Sequence, residues 1–327
     1  MLRALKTTLN PSFYHGDGRS APFFEGWYYK LVSAGGSQRF AIIPGVIKGE
    51  QAHAFVQVLD GSSDRSTYHR FPLDRFWAAD NRFEVHIERN IFNQDGMFLR
   101  FEDSGRKLHG ELKFIGAEPW PVTWLSPGIM GPYAWVPAME CYHGVVSLDH
   151  TIQGALDIDG QTVDFSGGKG YIEKDWGKSF PSAWVWFQSN HFPQPGVCIT
   201  ASVAIIPWLR SSFRGFIIGL WIPDHLYRFA TYTGAKIDRL EISGDKVDWT
   251  VSDRKYRLEM RAVLTGGGQL LGPTRIEMGK RVDETLNGRI DVKLSTLQGK
   301  VLFESQGRHA GLEVNGDIHR LMKMGDD

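Results

Sequence analysis

The sequence predicts an all-β protein built from two tandem antiparallel barrels, and three observations support this. Short segments rich in β-branched and aromatic residues recur along all 327 residues, among them 27–32, 40–43, 54–59, 83–87, 97–101 and 111–114. Others follow at 145–148, 184–188, 197–206, 215–221, 255–263, 288–294 and 300–304. Second, the segments are punctuated by hairpin chemistry such as Asp60-Gly61, Asp95-Gly96, Asp159-Gly160, Asn287-Gly288 and Asn315-Gly316, and no stretch holds a long helical period. Third, the chain repeats itself once. EGWYYKLVSAGGSQRFAIIPGVIK from Glu25 matches SAWVWFQSNHFPQPGVCITASVAIIPWLR from Ser182 in its aromatic strand, Gly-containing turn and second strand ending Ile-Ile-Pro.

The repeat offset is about half the chain, which suits a duplicated barrel and places the expected boundary near Trp176. Residues 1–175 then form the first barrel and 176–327 the second, with the acidic and tryptophan-rich segments expected where the barrels meet. The Gly-x-Trp-like opening strand is similar to that of lipocalin-type barrels, which enclose a small apolar ligand.

Composition narrows the function classes. The net charge is zero, which argues against a nucleic-acid partner. Two cysteines are too few for a disulfide framework and read as free thiols of a reducing cytosol. No apolar run approaches the roughly 20 residues of a membrane-spanning helix, so a cytoplasmic location is expected. The start, MLRALKTTLN, has no signal-peptide h-region; its basic residues allow a short amphipathic helix in peripheral membrane contact, with a frayed tail the preferred reading. Oligomeric state is not legible.

The stretch Gly170–Phe192, GYIEKDWGKSFPSAWVWFQSNHF, holds the densest chemistry. At the strand period of two, Tyr171, Glu173 and Asp175 share one face, whereas Lys174 points the other way and reads as a surface pairing residue. Carboxyl groups beside Tyr171, Ile172 and Trp176 are pushed towards their neutral form, as a general acid requires. Glu173 and Asp175 are therefore the candidate catalytic residues, against the bland reading of a solvated charged turn. Trp184, Trp186, Gln188 and Asn190 share a face that suits a ligand cavity better than an apolar core, opposite Val185, Phe187, Ser189 and His191. Indole faces also stabilise a developing carbocation. Glu25, Trp27 and Tyr29 form the equivalent face of the first repeat and complete the apolar wall. Around Met139–Gly144 the ligand types match no compact metal pattern, so no metal or other cofactor is expected; a satisfied core histidine is the default for His143, a site role the minority one. No P-loop, GxSxG or HExxH is present, and Gly16-x-Gly18 lacks the strand and helix of a dinucleotide site.

These residues resemble the tocopherol cyclase family. The resemblance rests on FFEGWYYK at Phe23–Lys30, on Gly170–Phe192, and on AGLEVNGD at Ala310–Asp317. In the plant enzymes the central segment reads Glu-Lys-Asn-Trp-Gly, then Phe-Pro and a Trp-x-Trp strand ending Gln-Cys-Asn; here Asp175 stands at that Asn and Ser189 at that Cys. The resemblance implies a tandem lipocalin-like fold, similar to carotenoid hydratases and decalin-forming cyclases. It implies a cofactor-independent reaction in which an acid protonates the tail alkene of a prenylated quinol and the phenolic oxygen captures the cation, giving a chromanol. In that scheme Glu173 or Asp175 is the acid; Trp184 and Trp186 shield the cation; Gln188 and Asn190 hold the polar head; and Trp27, Tyr29, Trp176, His143 and Glu25 complete the site. The partner expected is an apolar small molecule. A non-catalytic carrier of such a ligand and a hydratase, in which water captures the cation, are the alternatives.

Overall fold

The computed structural model describes residues 2–103, 105–137 and 139–325. It is all-β: two large antiparallel sheets, with α-helix among the described residues only at Leu2–Thr8 and Ile318–Lys323. The chain divides into two compact units: residues 1–180 with 269–281, and residues 181–268 with 282–327.

In the first unit, Phe23–Val32 pairs on one side with Arg39–Lys48, and the sheet continues to His53–Asp60 and Arg65–Phe71. On its other side it pairs with Lys169–Gly177, then Cys141–Ile158, Lys107–Ile115 and shorter strands out to Phe76–Ala78. The second unit repeats this order. Ala183–Ser189 pairs with Cys198–Trp208 on one side and with the late strand Val301–Gly316 on the other. Both opening strands of the sequence repeat thus take the same place, and both Ile-Ile-Pro strands lie beside them.

Each sheet curls around its own core. Side chains from strands along the whole first path, including Trp27, Tyr29, Phe40, Val56, Phe92, Leu99, Leu112 and Ile172, pack into one apolar cluster. Val185, Phe187, Ile199, Val203, Phe216, Trp249, Leu258 and Leu312 do the same in the second unit. Alternate residues of each strand point to one face of the sheet, and the apolar ones on that face make up these clusters. The expectation of closed barrels goes further than the structure shows: among the described residues no pairing joins the first and last strands of either path.

The excursion at residues 269–281 belongs to the first unit for a polar reason. The Gln57 side chain, 3% exposed, donates to the Leu271 carbonyl at 3.2 Å and accepts from the Leu271 N–H at 2.7 Å. A buried amide satisfied at both ends clips this strand to the sheet. The N-terminal segment is also held. Lys48 Nζ donates to the Gly16 carbonyl at 2.6 Å, and Leu2–Thr8 is helical, so the frayed-tail expectation does not hold for these residues.

Candidate functional site

The strand Lys169–Gly177 lies between Phe23–Val32 and Cys141–Ile158, so both of its edges are paired and its side chains are fixed on two faces. The acidic segment is therefore strand rather than turn, and all of Gly170–Gly177 except Asp175 is buried.

One face carries Tyr171, Glu173 and Asp175. Glu173 lies directly opposite Tyr28, Tyr171 opposite the fully buried Lys30, and Asp175 between Gly26 and His143. The Tyr171 hydroxyl donates to Glu173 Oε2. His143 joins the two acids: its Nδ1 lies 2.9 Å from Asp175 Oδ1, and its Nε2 lies 3.5 Å from Glu173 Oε2. Exposure is graded along the chain of groups, with side-chain values of 29% at Asp175, 14% at His143 and 7% at Glu173. An imidazole between two carboxylates can pass a proton from the wetter acid to the drier one. His143, by default a satisfied core histidine, is placed by its bond to Asp175 within this set. Donor atoms of His143, Glu173 and Asp175 all lie within 4.8 Å of one another, a spread that could also hold a cation.

The opposite face is the core side, and there the sequence expectation for Lys174 fails. Lys174 is fully buried instead of at the surface. Its ammonium donates to Glu25 and, at 2.6 Å, to the Phe13 carbonyl; His15 Nδ1 stands 3.1 Å away. The ring centroids of Trp27 and Trp176 lie 4.9 and 4.8 Å from Nζ, so two indoles face the cation. Glu25 also accepts from the His15 backbone N–H at 2.9 Å, and His15 stacks on Trp176 at 4.1 Å. Burial pushes the Glu25 carboxyl up, yet the Lys174 ammonium and His15 outweigh it and hold it below the usual carboxylate range. Burial lowers the Lys174 ammonium and, with that ammonium beside it, the His15 imidazole as well.

Strand register therefore divides the predicted residues of the first unit. Glu25, Trp27, Tyr29 and Trp176 lie with Lys174 on one side of the strand pair; Glu173, Asp175 and His143 lie on the other. Trp27 and Tyr29 are fully buried in the apolar cluster and pack against Phe83, Phe92 and Phe114. Trp184, Trp186, Gln188 and Asn190 belong to the second unit. The strand residues among them lie opposite the core pair Val185 and Phe187, and all four are buried. Trp184 Nε1 donates to Glu313 Oε2 at 2.6 Å, and Glu313 is directly opposite the buried Glu284. A cleft of about 750 Å³ beside Arg3, Tyr14, Lys48 and residues 76–82 contains none of the predicted site residues.

Sequence reasoning missed Tyr28, Lys30, Glu284, Glu313, His15 and the true setting of Lys174. Tyr28 and Lys30 carried a usable signal, being one residue, half a strand period, out of phase with Trp27 and Tyr29. His15 had none.

Residues 128–316, more than half of the chain, match the family model for tocopherol cyclase-like proteins. The chain belongs to that family. It is similar to the probable chloroplastic tocopherol cyclase of Oryza sativa subsp. japonica, with 22% identity over 96% of this chain and 79% of the rice protein. Among solved structures, a putative AttH from Nitrosomonas europaea superposes with a TM-score of 0.52 at 17% identity, over 93% of this chain and 94% of that one. CghA with Sch210972 superposes with a TM-score of 0.53 at 10% identity, over 94% and 89% of the two chains. At these identities the likeness to the solved structures shows the shared fold. No helix among the described residues is long and apolar enough to cross a membrane.

Proposed function

We propose that this family member is an acid-catalysed cyclase acting on a prenylated quinol or a related terpenoid. The observation that supports this most is the His143 imidazole set between Asp175 and the drier Glu173, with the Tyr171 hydroxyl on the same carboxylate. In the proposed step, Glu173 gives a proton to the trisubstituted alkene of the tail, leaving a tertiary cation. The phenolic oxygen attacks that cation to close the ring, and its proton returns to the Glu173 carboxylate. Substrate and product are isomers, so no electrons or co-reactants enter. Asp175, the most exposed of the three, lets the Glu173 proton exchange with water through His143 and so keeps the acid loaded between turnovers. Tyr28 and Tyr171, sharing the face of Glu173, offer aromatic surface to the cation, worth up to about 2 kcal/mol when dry. Trp27 and Tyr29 take no part in this scheme, since they fill the core on the other side. A substrate-binding role for Trp184, Trp186, Gln188 and Asn190 is a separate proposal, read from their shared buried face.

The test is to incubate the protein with a prenylated hydroquinone and to weigh the product. Unchanged mass with loss of the alkene supports cyclisation. Addition of one water indicates a hydratase, and bound but unconverted ligand indicates a carrier.

A further inference from the structure

Residues 119–139, PWPVTWLSPGIMGPYAWVPAM, contain no Asp, Glu, Lys, Arg or His. A surface segment of this length without one charge is unusual, because solvent-facing loops normally carry them. Its base is anchored: Trp120, Ile129 and Met130 are buried, and the Tyr142 hydroxyl donates to the Val136 carbonyl at 2.7 Å while accepting from the Met139 N–H. Its tip is the reverse. Trp124 is 60% exposed and Leu125 79%, with Val122 and Trp135 also in the open.

The tip is built to present these two residues. Thr123 and Ser126 exchange backbone hydrogen bonds at 3.1 and 3.2 Å, closing a tight turn whose two central residues are Trp124 and Leu125. The Trp135 indole N–H donates to the Trp124 carbonyl at 3.0 Å, and the two indole rings lie 5.4 Å apart. The turn is thus held rigid while its apolar side chains face outwards, the reverse of what burial alone would select. Paired indoles beside an aliphatic tip, on an uncharged loop, match the chemistry of the headgroup–acyl boundary of a bilayer.

We propose that this loop docks the protein on a neutral lipid surface, with Trp124 and Leu125 entering the boundary and Val122 and Trp135 beside them. The purpose of docking rests on the cyclase reading, since a prenylated quinol dissolves in membranes; the docking itself rests on the loop. With no charge in the loop, partition is apolar and holds at high salt. This moves the membrane contact from the basic N-terminal helix to the 119–139 loop.

The experiment is flotation of the full chain with phosphatidylcholine vesicles, comparing wild type with Trp124→Ser/Leu125→Ser. Wild type floats with the vesicles at low and high salt, and the double variant binds at least about tenfold more weakly. Because both side chains are exposed, the variant keeps the wild-type melting temperature. Wild type that stays unbound, or a variant that floats equally well, overturns the proposal. Wild type that dimerises without vesicles and loses dimerisation in the variant also overturns it, in favour of a second copy as the occupant. Vesicle binding with no turnover of any prenylated quinol leaves the docking intact and removes the cyclase reading instead.

Discussion

The imidazole Nδ1 of His143 lies 2.9 Å from Oδ1 of Asp175, its direct partner across the paired strands 141–158 and 169–177. Being cross-strand neighbours, the two are positioned by the sheet ladder itself, and the ring's other nitrogen is aimed at Glu173. If this set delivers the proton, His143→Gln lowers kcat about 100-fold with little change in KM. Glu173→Gln removes the donor and costs more. Asp175→Asn costs less, because water can still reach His143. Steady-state kinetics of the three variants across pH checks this order.

Lys174 and Glu25 make a different prediction, about stability. Both side chains are fully buried, so replacing one leaves the other's charge without its main partner. Lys174→Met is expected to destabilise the protein by about 3–5 kcal/mol in chemical denaturation. Lys174→Met with Glu25→Leu recovers much of that loss, since an apolar pair of similar volume suits the site.

His150 predicts how stability depends on acid. Burial lowers its imidazole from the ordinary 6.5 to about 3, so the folded protein keeps it neutral where the unfolded chain would protonate it. The unfolded state then binds more protons, and stability falls as pH drops from about 6.5 to about 3, by roughly 1.4 kcal/mol per pH unit for this one group. Below both values the contribution no longer changes. His15, also lowered by burial, acts in the same direction. Denaturation midpoints between pH 7 and 4 are expected to fall, and His150→Gln to flatten the slope while leaving the part due to His15.

In this structure the same three donors that could gather a cation are held by the His143–Asp175 hydrogen bond, the 3.5 Å approach of His143 to Glu173 and the Tyr171 hydroxyl on Glu173. A proton-relay role predicts that excess chelator leaves turnover unchanged. Added zinc inhibits by displacing the shared proton. Activity that disappears on chelation and returns with one metal would show that the residues serve a cation instead.

The all-β class and the alternation of faces were legible in the sequence because the strand period of two is local. Val185 and Phe187 do enter a core, opposite Trp184 and Trp186. Which face of the first sheet turns inwards was not legible. Charge suggested that Lys174 faces water, but its partners Glu25 and His15 lie 149 and 159 residues away along the chain, and only the fold brings them together. The same inversion hid the setting of Trp27 and Tyr29, because an aromatic face reads alike whether it lines a cavity or fills a core. Strand ends were also blurred: 145–148 was expected where Cys141–Ile158 runs unbroken, and it is this longer strand that carries His143 to Asp175.

The most direct test of the proton-donor claim is turnover of a prenylated hydroquinone in D₂O by wild type and by Glu173→Gln. The account predicts that wild type gives a cyclised product bearing one deuterium on the carbon that received the proton, and that Glu173→Gln, folded and still binding substrate, gives almost none. A Glu173→Gln protein that turns over at the wild-type rate with the same deuterium content would contradict it.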